Sequence, residues 1–179
     1  MGYGLLAALI ERYDGEGYDD LVAQKIDQTL GMMDTRSSLS PEEQTRLAHG
    51  YLMDGTPASE TVDQGVSLGA GGLRSTTQDL ARFLVANMDL SSSPLGSAFR
   101  ITQQSFADGG SPTDQMGLAW NLMGAGLASE VISKDGGTAG YNSLIWFTQD
   151  RRVGFVALTN SPGLYDLTPS IINILQHYP

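Results

Sequence analysis

Cysteine is absent from this chain of 179 residues. Disulfides and thiolate-bound metal are therefore excluded, and the redox compartment leaves no mark on the sequence. Lysine is almost absent. Only Lys25 and Lys134 occur, with Val22 and Val131 three positions before them, so no serine can pass its proton to a lysine one helical turn further on. The two histidines, His49 and His177, lie far apart and argue against a zinc centre; neither metal nor cofactor is expected. Positive charge is scarce too: ten basic against twenty acidic side chains give a formal net charge of -10. With no basic patch to offset phosphate repulsion, nucleic acid and anionic lipid are poor partners. No apolar stretch approaches the ~20 residues that span a bilayer. The apolar start at residues 1–10 lacks a basic head and a cleavage site, and reads as helix rather than signal peptide. Localisation stays open, and a periplasmic or secreted parent is compatible.

What is present suffices for one domain with a core: 41% of the residues are apolar, and the length suits a single unit. Leu5, Leu6, Leu9 and Ile10 recur at helical spacing and predict an amphipathic helix from Gly4 to about Tyr13. A second helix comes next through Tyr18, Leu21, Val22, Ile26 and Leu30, closed by Gly31. Residues 34–68 are polar and read as loop, with a short helical turn at 41–48. Thr76 and Asp79 form a capping pair for a helix through Leu80, Phe83, Leu84 and Met88. Ser91-Ser92-Ser93-Pro94 looks like a short linker. From residue 116 the period becomes strand-like, over 116–123, 130–134, 141–148 and 152–160, with a tight turn at 149–152. Leu167, Ile171, Ile174 and Leu175 place a last helix at 166–177 against that sheet. The expected class is α/β, or α+β in layer terms. Residues 1–115 form a helical and loop region, and residues 116–179 an antiparallel sheet of three or four strands with a C-terminal helix. The strand Val153–Leu158 is apolar on both faces, the mark of an interior strand covered on both sides. Its second edge calls for a partner.

Lys134-Asp135-Gly136-Gly137-Thr138 resembles the third active-site motif of penicillin-recognising serine hydrolases. Other fragments resemble the C-terminal half of the class C β-lactamase and D-alanyl-D-alanine peptidase family in the same order. Gly2-Tyr3-Gly4-Leu5-Leu6 is similar to the helix after that family's Tyr-x-Asn motif, and Leu30-Gly31-Met32-Met33-Asp34-Thr35 to its Pro-Leu-Gly-Met-x-Asp-Thr stretch. Ala70-Gly71-Gly72-Leu73-Arg74-Ser75-Thr76 and Asp79-Leu80-Ala81-Arg82-Phe83 are similar to its glycine turn and next helix. Gly117-Leu118-Ala119-Trp120 resembles the strand ahead of the third motif. None of the five asparagines has Tyr or Ser two positions earlier, and neither lysine has a serine three positions earlier, so the family's first two motifs are both missing from this sequence. The resemblance implies a partial β-lactamase-like fold in which N-terminal strands would pair with the strand matching 152–160.

The same resemblance gives Lys134 the role of the cation facing the nucleophile, Gly137 N–H that of an oxyanion donor, and Thr138 that of a carboxylate ligand. Gly136 and Gly137 would leave room for substrate, although a tight hairpin calls for the same glycines. Asp135 stands where the family has Thr or Ser, and a carboxylate there would repel an anionic substrate. Tyr141 reads as a packing aromatic. The implied activity is hydrolysis of a β-lactam, D-Ala peptide or ester through an acyl-serine, inactive without the missing motifs. The chain would be completed by an N-terminal segment, or would pair with itself along the 152–160 edge as a non-catalytic binding protein. A rival signal is Gly65-Val66-Ser67-Leu68-Gly69, a Gly-x-Ser-x-Gly elbow with Asp166 and His177 further along the chain. An esterase using Ser67 needs a buried strand before that serine, where Glu60-Thr61-Val62-Asp63-Gln64 stands. Asp19-Asp20 and Glu42-Glu43 read as solvated or helix-start charges, and Arg36, Arg46 and Arg74 as too scattered for an anion site.

Overall fold

A computed structural model describes residues 2–59, 68–124, 130–164 and 170 of the chain. The first helix, α1 (Gly2–Asp14), forms where the spacing predicts it but turns its other side inward. Gly4 and Ala7 are its buried residues, while Leu5, Leu6 and Leu9 are 62%, 52% and 55% exposed. The reason is a close crossing with α5 (Leu68–Gly71). A Cβ on Gly69 would stand 2.4 Å from Ala7 Cβ and 2.8 Å from the Tyr3 carbonyl. Only small residues fit there, so the leucine stripe faces out.

The second helical run comprises α2 (Tyr18–Val22), a π-helical turn (Ala23–Asp27) and α3 (Gln28–Leu30). Glu11 Oε1 accepts from the Tyr18 N–H at 2.8 Å and so fixes its start on α1. Gly31 ends it with φ 72°, the left-handed conformation that glycine adopts without strain. The short α4 (Pro41–Gln44) carries a complete capping box between Ser40 and Glu43. Glu43 also pairs with Arg36 at 2.8 Å. All four paired acids lie in first helical turns as expected, and one of each pair is also a structural link, since Asp19 likewise accepts from the N–H and the hydroxyl of Ser37.

Helix α6 (Thr77–Met88) opens on Thr76, whose hydroxyl accepts from Asp79 N–H at 3.2 Å. The Asp79 side chain does not complete a box. It is 1% exposed and accepts from Asp34 N–H at 2.7 Å, Thr35 Oγ1 at 3.1 Å and the Arg82 guanidinium at 2.7 Å. Next to it, Arg36 and Arg74 exchange backbone hydrogen bonds of 3.0 and 2.8 Å. These links lock residues 34–37 onto the approach to α6. Helix α7 (Gly96–Thr102), which no sequence signal announces, comes after the Ser91–Pro94 turn.

The sheet starts earlier and is larger than expected. It has six antiparallel strands among the described residues, ordered β1-β2-β3-β4-β5-β6. β1 (Ala107–Ser111) and β2 (Asp114–Met116) lie in the part read as helix and loop; their polar, glycine-bearing sequences carry no hydrophobic alternation. The expected strand 116–123 is broken. Gly117–Trp120 turns, with Ala119 at φ 70°, before β3 (Asn121–Met123). β4 (Val131–Thr138), β5 (Tyr141–Thr148) and β6 (Gly154–Thr159) complete the sheet. Helices cover one face: Leu84, Trp120, Ile132 and Phe147 form the buried cluster, flanked by Phe83, Met88, Leu122, Ile145 and Val156. Trp120 meets Phe147 edge to face at 5.5 Å. On the other face Trp146 is 1% exposed and stacks at a tilt on Phe155, 5.5 Å away. The predicted helix at 166–177 lies outside the described residues, apart from Ser170. β6 pairs only with β5 among the described strands and is half-buried, so the second edge that the sequence leaves in need of a partner has none among them.

Two measurements check this architecture. Asp79→Ala would leave the Asp34 amide and Thr35 hydroxyl without their acceptor, and should cost about 3 kcal/mol in urea unfolding. Asp27, 5% exposed with its Oδ1 unpartnered, is pushed up to about 6, first by burial and then by Asp79 and Asp19, against a lowering by Arg36. The folded chain holds this proton where the unfolded chain releases it. This contribution to stability is therefore full below about pH 4 and lost as pH rises through about 6. Asp27→Asn should flatten that window and add about 1–2 kcal/mol at pH 7.

Candidate functional site

The end of the β4–β5 hairpin is where the chemistry-bearing residues gather. Ala139 and Gly140 make a two-residue turn, and Gly140 at φ 77° supplies the left-handed position of a type II turn. It is this glycine, not Gly136 or Gly137, that the hairpin requires; those two lie inside β4 opposite Ser143 and Asn142. The loop at 48–58 seals the turn. Tyr141 donates its hydroxyl to the Ala48 carbonyl at 2.8 Å, and the Asn160 amide donates to the His49 carbonyl at 2.8 Å. A Cβ on Gly50 would stand 2.7 Å from the Tyr141 ring. Tyr141 is thus the packing residue its sequence context suggests.

Strand alternation sorts the motif into two sets. Lys134, Gly136 and Thr138 share the face of Ile132, the face the helices cover; Asp135 and Gly137 belong with Ser133 on the other. Asp135 receives a long 3.5 Å bond from the Asn121 amide on that other face. The carboxylate of Asp135 thus lies across the strand from the Lys134 ammonium and does not share its face. Lys134 itself reaches over the ring of Tyr3 on α1, its Nζ 5.7 Å from the centroid. It forms no ion pair among the described residues.

Backbone pairing also carries β4 beyond its neighbour among the described strands. Thr138 and Tyr141 close the hairpin, so hydrogen-bonded pairs recur at Gly136/Ser143 and Lys134/Ile145, and Gly137/Asn142 is a non-hydrogen-bonded pair. The amide of Gly137 consequently turns away from β5, toward the side of β3. β3 pairs only with Val131, Ile132 and Ser133. The strand edge from Asp135 to Gly137 therefore runs past the last residue of its neighbour. Gly136 keeps the surface low, since a Cβ there would stand 2.9 Å from Ser143 Oγ. Thr138 is exposed at the far end, where Gly71 of α5 lies so close that a Cβ would be 3.2 Å from Thr138 Cγ2.

All four predicted site residues, Lys134, Gly136, Gly137 and Thr138, thus lie on one strand end. Ser67, Asp166 and His177 of the elbow reading lie outside the described residues, and residues 68–71 form helix α5 where a glycine turn was expected. Among the described residues no group of three His, Asp or Glu could hold a metal ion, and no helix is long and apolar enough to cross a membrane. Arg36, Arg46 and Arg74 serve structural bonds, to Glu43, to Asp34 and to the Ser37 carbonyl. Sequence reasoning missed Tyr3, Gly69 and Gly71. The small-residue spacing of Gly4 and Ala7 was the available signal for a close α1 crossing; nothing local announces the meeting of Tyr3 with Lys134.

Comparison with known proteins gives these positions a context. The Beta-lactamase family model matches residues 1–174. The chain is 28% identical over 193 residues to penicillin-binding protein 4* of Bacillus subtilis (strain 168), covering 98% of this chain and 42% of that protein. It is 25% identical over 175 residues to the D-alanyl-D-alanine-carboxypeptidase/endopeptidase AmpH of Escherichia coli (strain K12), covering 90% and 44%. The chain thus spans less than half the length of these two relatives. In fold it matches the crystal structure of a beta-lactamase/D-alanine carboxypeptidase from Pseudomonas syringae with a TM-score of 0.85 and 22% identity, over 99% of this chain and 58% of that one. A family match over nearly every residue, and a mixed helix and antiparallel-sheet fold of the β-lactamase/transpeptidase kind, agree: the chain belongs to the beta-lactamase family.

Proposed function

We propose that this chain forms the third-motif wall of a serine acyl-transfer site, completed by a polypeptide segment that carries the Ser-x-x-Lys and Tyr-x-Asn elements. The observation that carries this reading is the conjunction at the β4 end. An ammonium with no ion pair among the described residues, an outward backbone amide and a strand edge past its neighbour meet on β4, where Tyr3 of α1 reaches Lys134. In the completed site the serine oxygen of that segment attacks the carbonyl carbon of a β-lactam, D-Ala peptide or ester. The C–O bond forms as the carbonyl π electrons move onto oxygen, and the Gly137 N–H donates to that oxyanion. Lys134 stabilises the gathering negative charge from the helix-covered face. The bond to the leaving nitrogen or oxygen then breaks, the leaving group takes up the serine's proton, and water releases the acyl group. The substrate within this class is not fixed by the scaffold.

A second reading has its own observation. Thr148 N–H donates to the Val153 carbonyl at 2.9 Å, so counting in twos turns the amides of Gly154, Val156 and Leu158 away from β5. β6 thereby offers a row of donors to another strand, as a homodimer without catalysis would use.

Incubated with a β-lactam and an activated ester, the folded chain alone is expected to show no mass increase. Co-expressed with the N-terminal half of a family relative, it should give an adduct on that half's motif serine, formed about 100-fold more slowly by Lys134→Ala. An adduct on Ser67 of the chain alone, abolished by Ser67→Ala, would replace the proposal with the esterase reading. Light scattering separates the second reading. A two-copy particle that Leu158→Pro reduces to one copy, with helix content unchanged, would favour pairing along β6.

A further inference from the structure

The contact between Tyr3 and Lys134 joins residues 131 positions apart in sequence, from the first helix to the fourth strand. It deepens the site reading above and rests on it only for what Lys134 would do. Two observations make the contact more than proximity. First, α1 is held at this place independently of Lys134, because the Gly69 and Ala7 crossing sets α1 on α5 with the Tyr3 carbonyl beside Gly69. Tyr3 thus belongs to a close helix crossing, although the residue is 44% exposed. Second, Lys134 forms no ion pair among the described residues. The only other lysine, Lys25, is instead held by Asp14 at 2.8 Å. A carboxylate partner would neutralise the ammonium and compete with any anion arriving at the site. The face of an aromatic ring attracts the cation through its quadrupole and leaves the charge uncancelled.

We propose that Tyr3 is a positioning residue for Lys134: its ring face holds the ammonium over the β4 end as an uncompensated cation, ready for an anionic ligand or oxyanion. The ring substitutes for a counter-ion. Phenylalanine should serve as well as tyrosine, since the face and not the hydroxyl makes the contact, and leucine should not.

The scarcity of lysine makes this testable in the chain as it stands. Reductive methylation with carbon-13 formaldehyde places reporter methyl groups on Lys25, Lys134 and the amino terminus, and dimethylation keeps the charge. In the wild-type protein the Lys134 methyl signal is expected upfield of the Lys25 signal, displaced by the ring current of Tyr3. Tyr3→Phe should retain that displacement. Tyr3→Leu should abolish it while Lys25 stays in place. A Lys134 signal at the same position in all three proteins would overturn the proposal. Should the leucine variant fail to fold, the wild-type protein still decides: nuclear Overhauser contacts between the Tyr3 ring and the Lys134 ε-methylene support the proposal, and their absence from a folded sample overturns it. No substrate or completing segment enters this measurement, so its outcome is independent of the acylation experiments.

Discussion

The buried carboxylate of Asp79 is the constraint that sets the position of the candidate site. Its oxygens draw in the amide of Asp34, the hydroxyl of Thr35 and the guanidinium of Arg82. That fixes the segment after α3 against the start of α6, and the reciprocal Arg36–Arg74 bonds extend the joint along the chain. α5 leads directly into this joint. Through Gly69 it receives α1, and through Gly71 it abuts Thr138. A polar knot remote from Lys134 thereby determines where the first helix and the fourth strand meet. A charge buried this deeply is tolerable only because charge-assisted bonds replace its lost hydration. Asp27, near it and with an orphaned oxygen, lacks that compensation and shows the cost in its raised pKa.

Much of this was legible in the sequence because the signals are local. Gly31 as a helix stop, Thr76 as a cap, the helical turn at Pro41 and the β5 strand all depend on neighbours within a few positions. The resemblance points to Lys134, Gly136, Gly137 and Thr138, which lie together on β4. What escaped was set by partners far along the chain. β1 and β2 are polar and glycine-bearing, and they exist because β3 offers them a ladder rather than because they bury a face. The leucine stripe of α1 keeps the helical period and still faces out, because the α5 crossing accepts only Gly and Ala. The side taken by Asp135 was not legible, since composition does not tell which face of a strand a residue takes; register does.

The β4 end can be seen as a surface prepared on two sides. From below, the backbone edge beyond β3 presents the Gly137 amide past the last strand residue that β3 offers among the described strands. From the side, α1 brings an aromatic ring that restrains a cation without cancelling it. Neither element is a nucleophile, and the sequence offers no Ser-x-x-Lys to supply one. The chain aligns with almost the whole of its family model yet with only 42–58% of the two relatives and the Pseudomonas structure.

The strict meander of that sheet has a kinetic consequence. Since each strand pairs with its sequence neighbour, every ladder closes a short loop, and ladder formation draws little on chain entropy. The β4–β5–β6 hairpins should therefore be early structures in folding. The bonds from the 48–51 loop to Tyr141 and Asn160 span 93 and 111 positions, and belong to a later docking step. On this order of events the β4–β5 hairpin should form before the helical region arrives to frame it, and the docking of that region should come last.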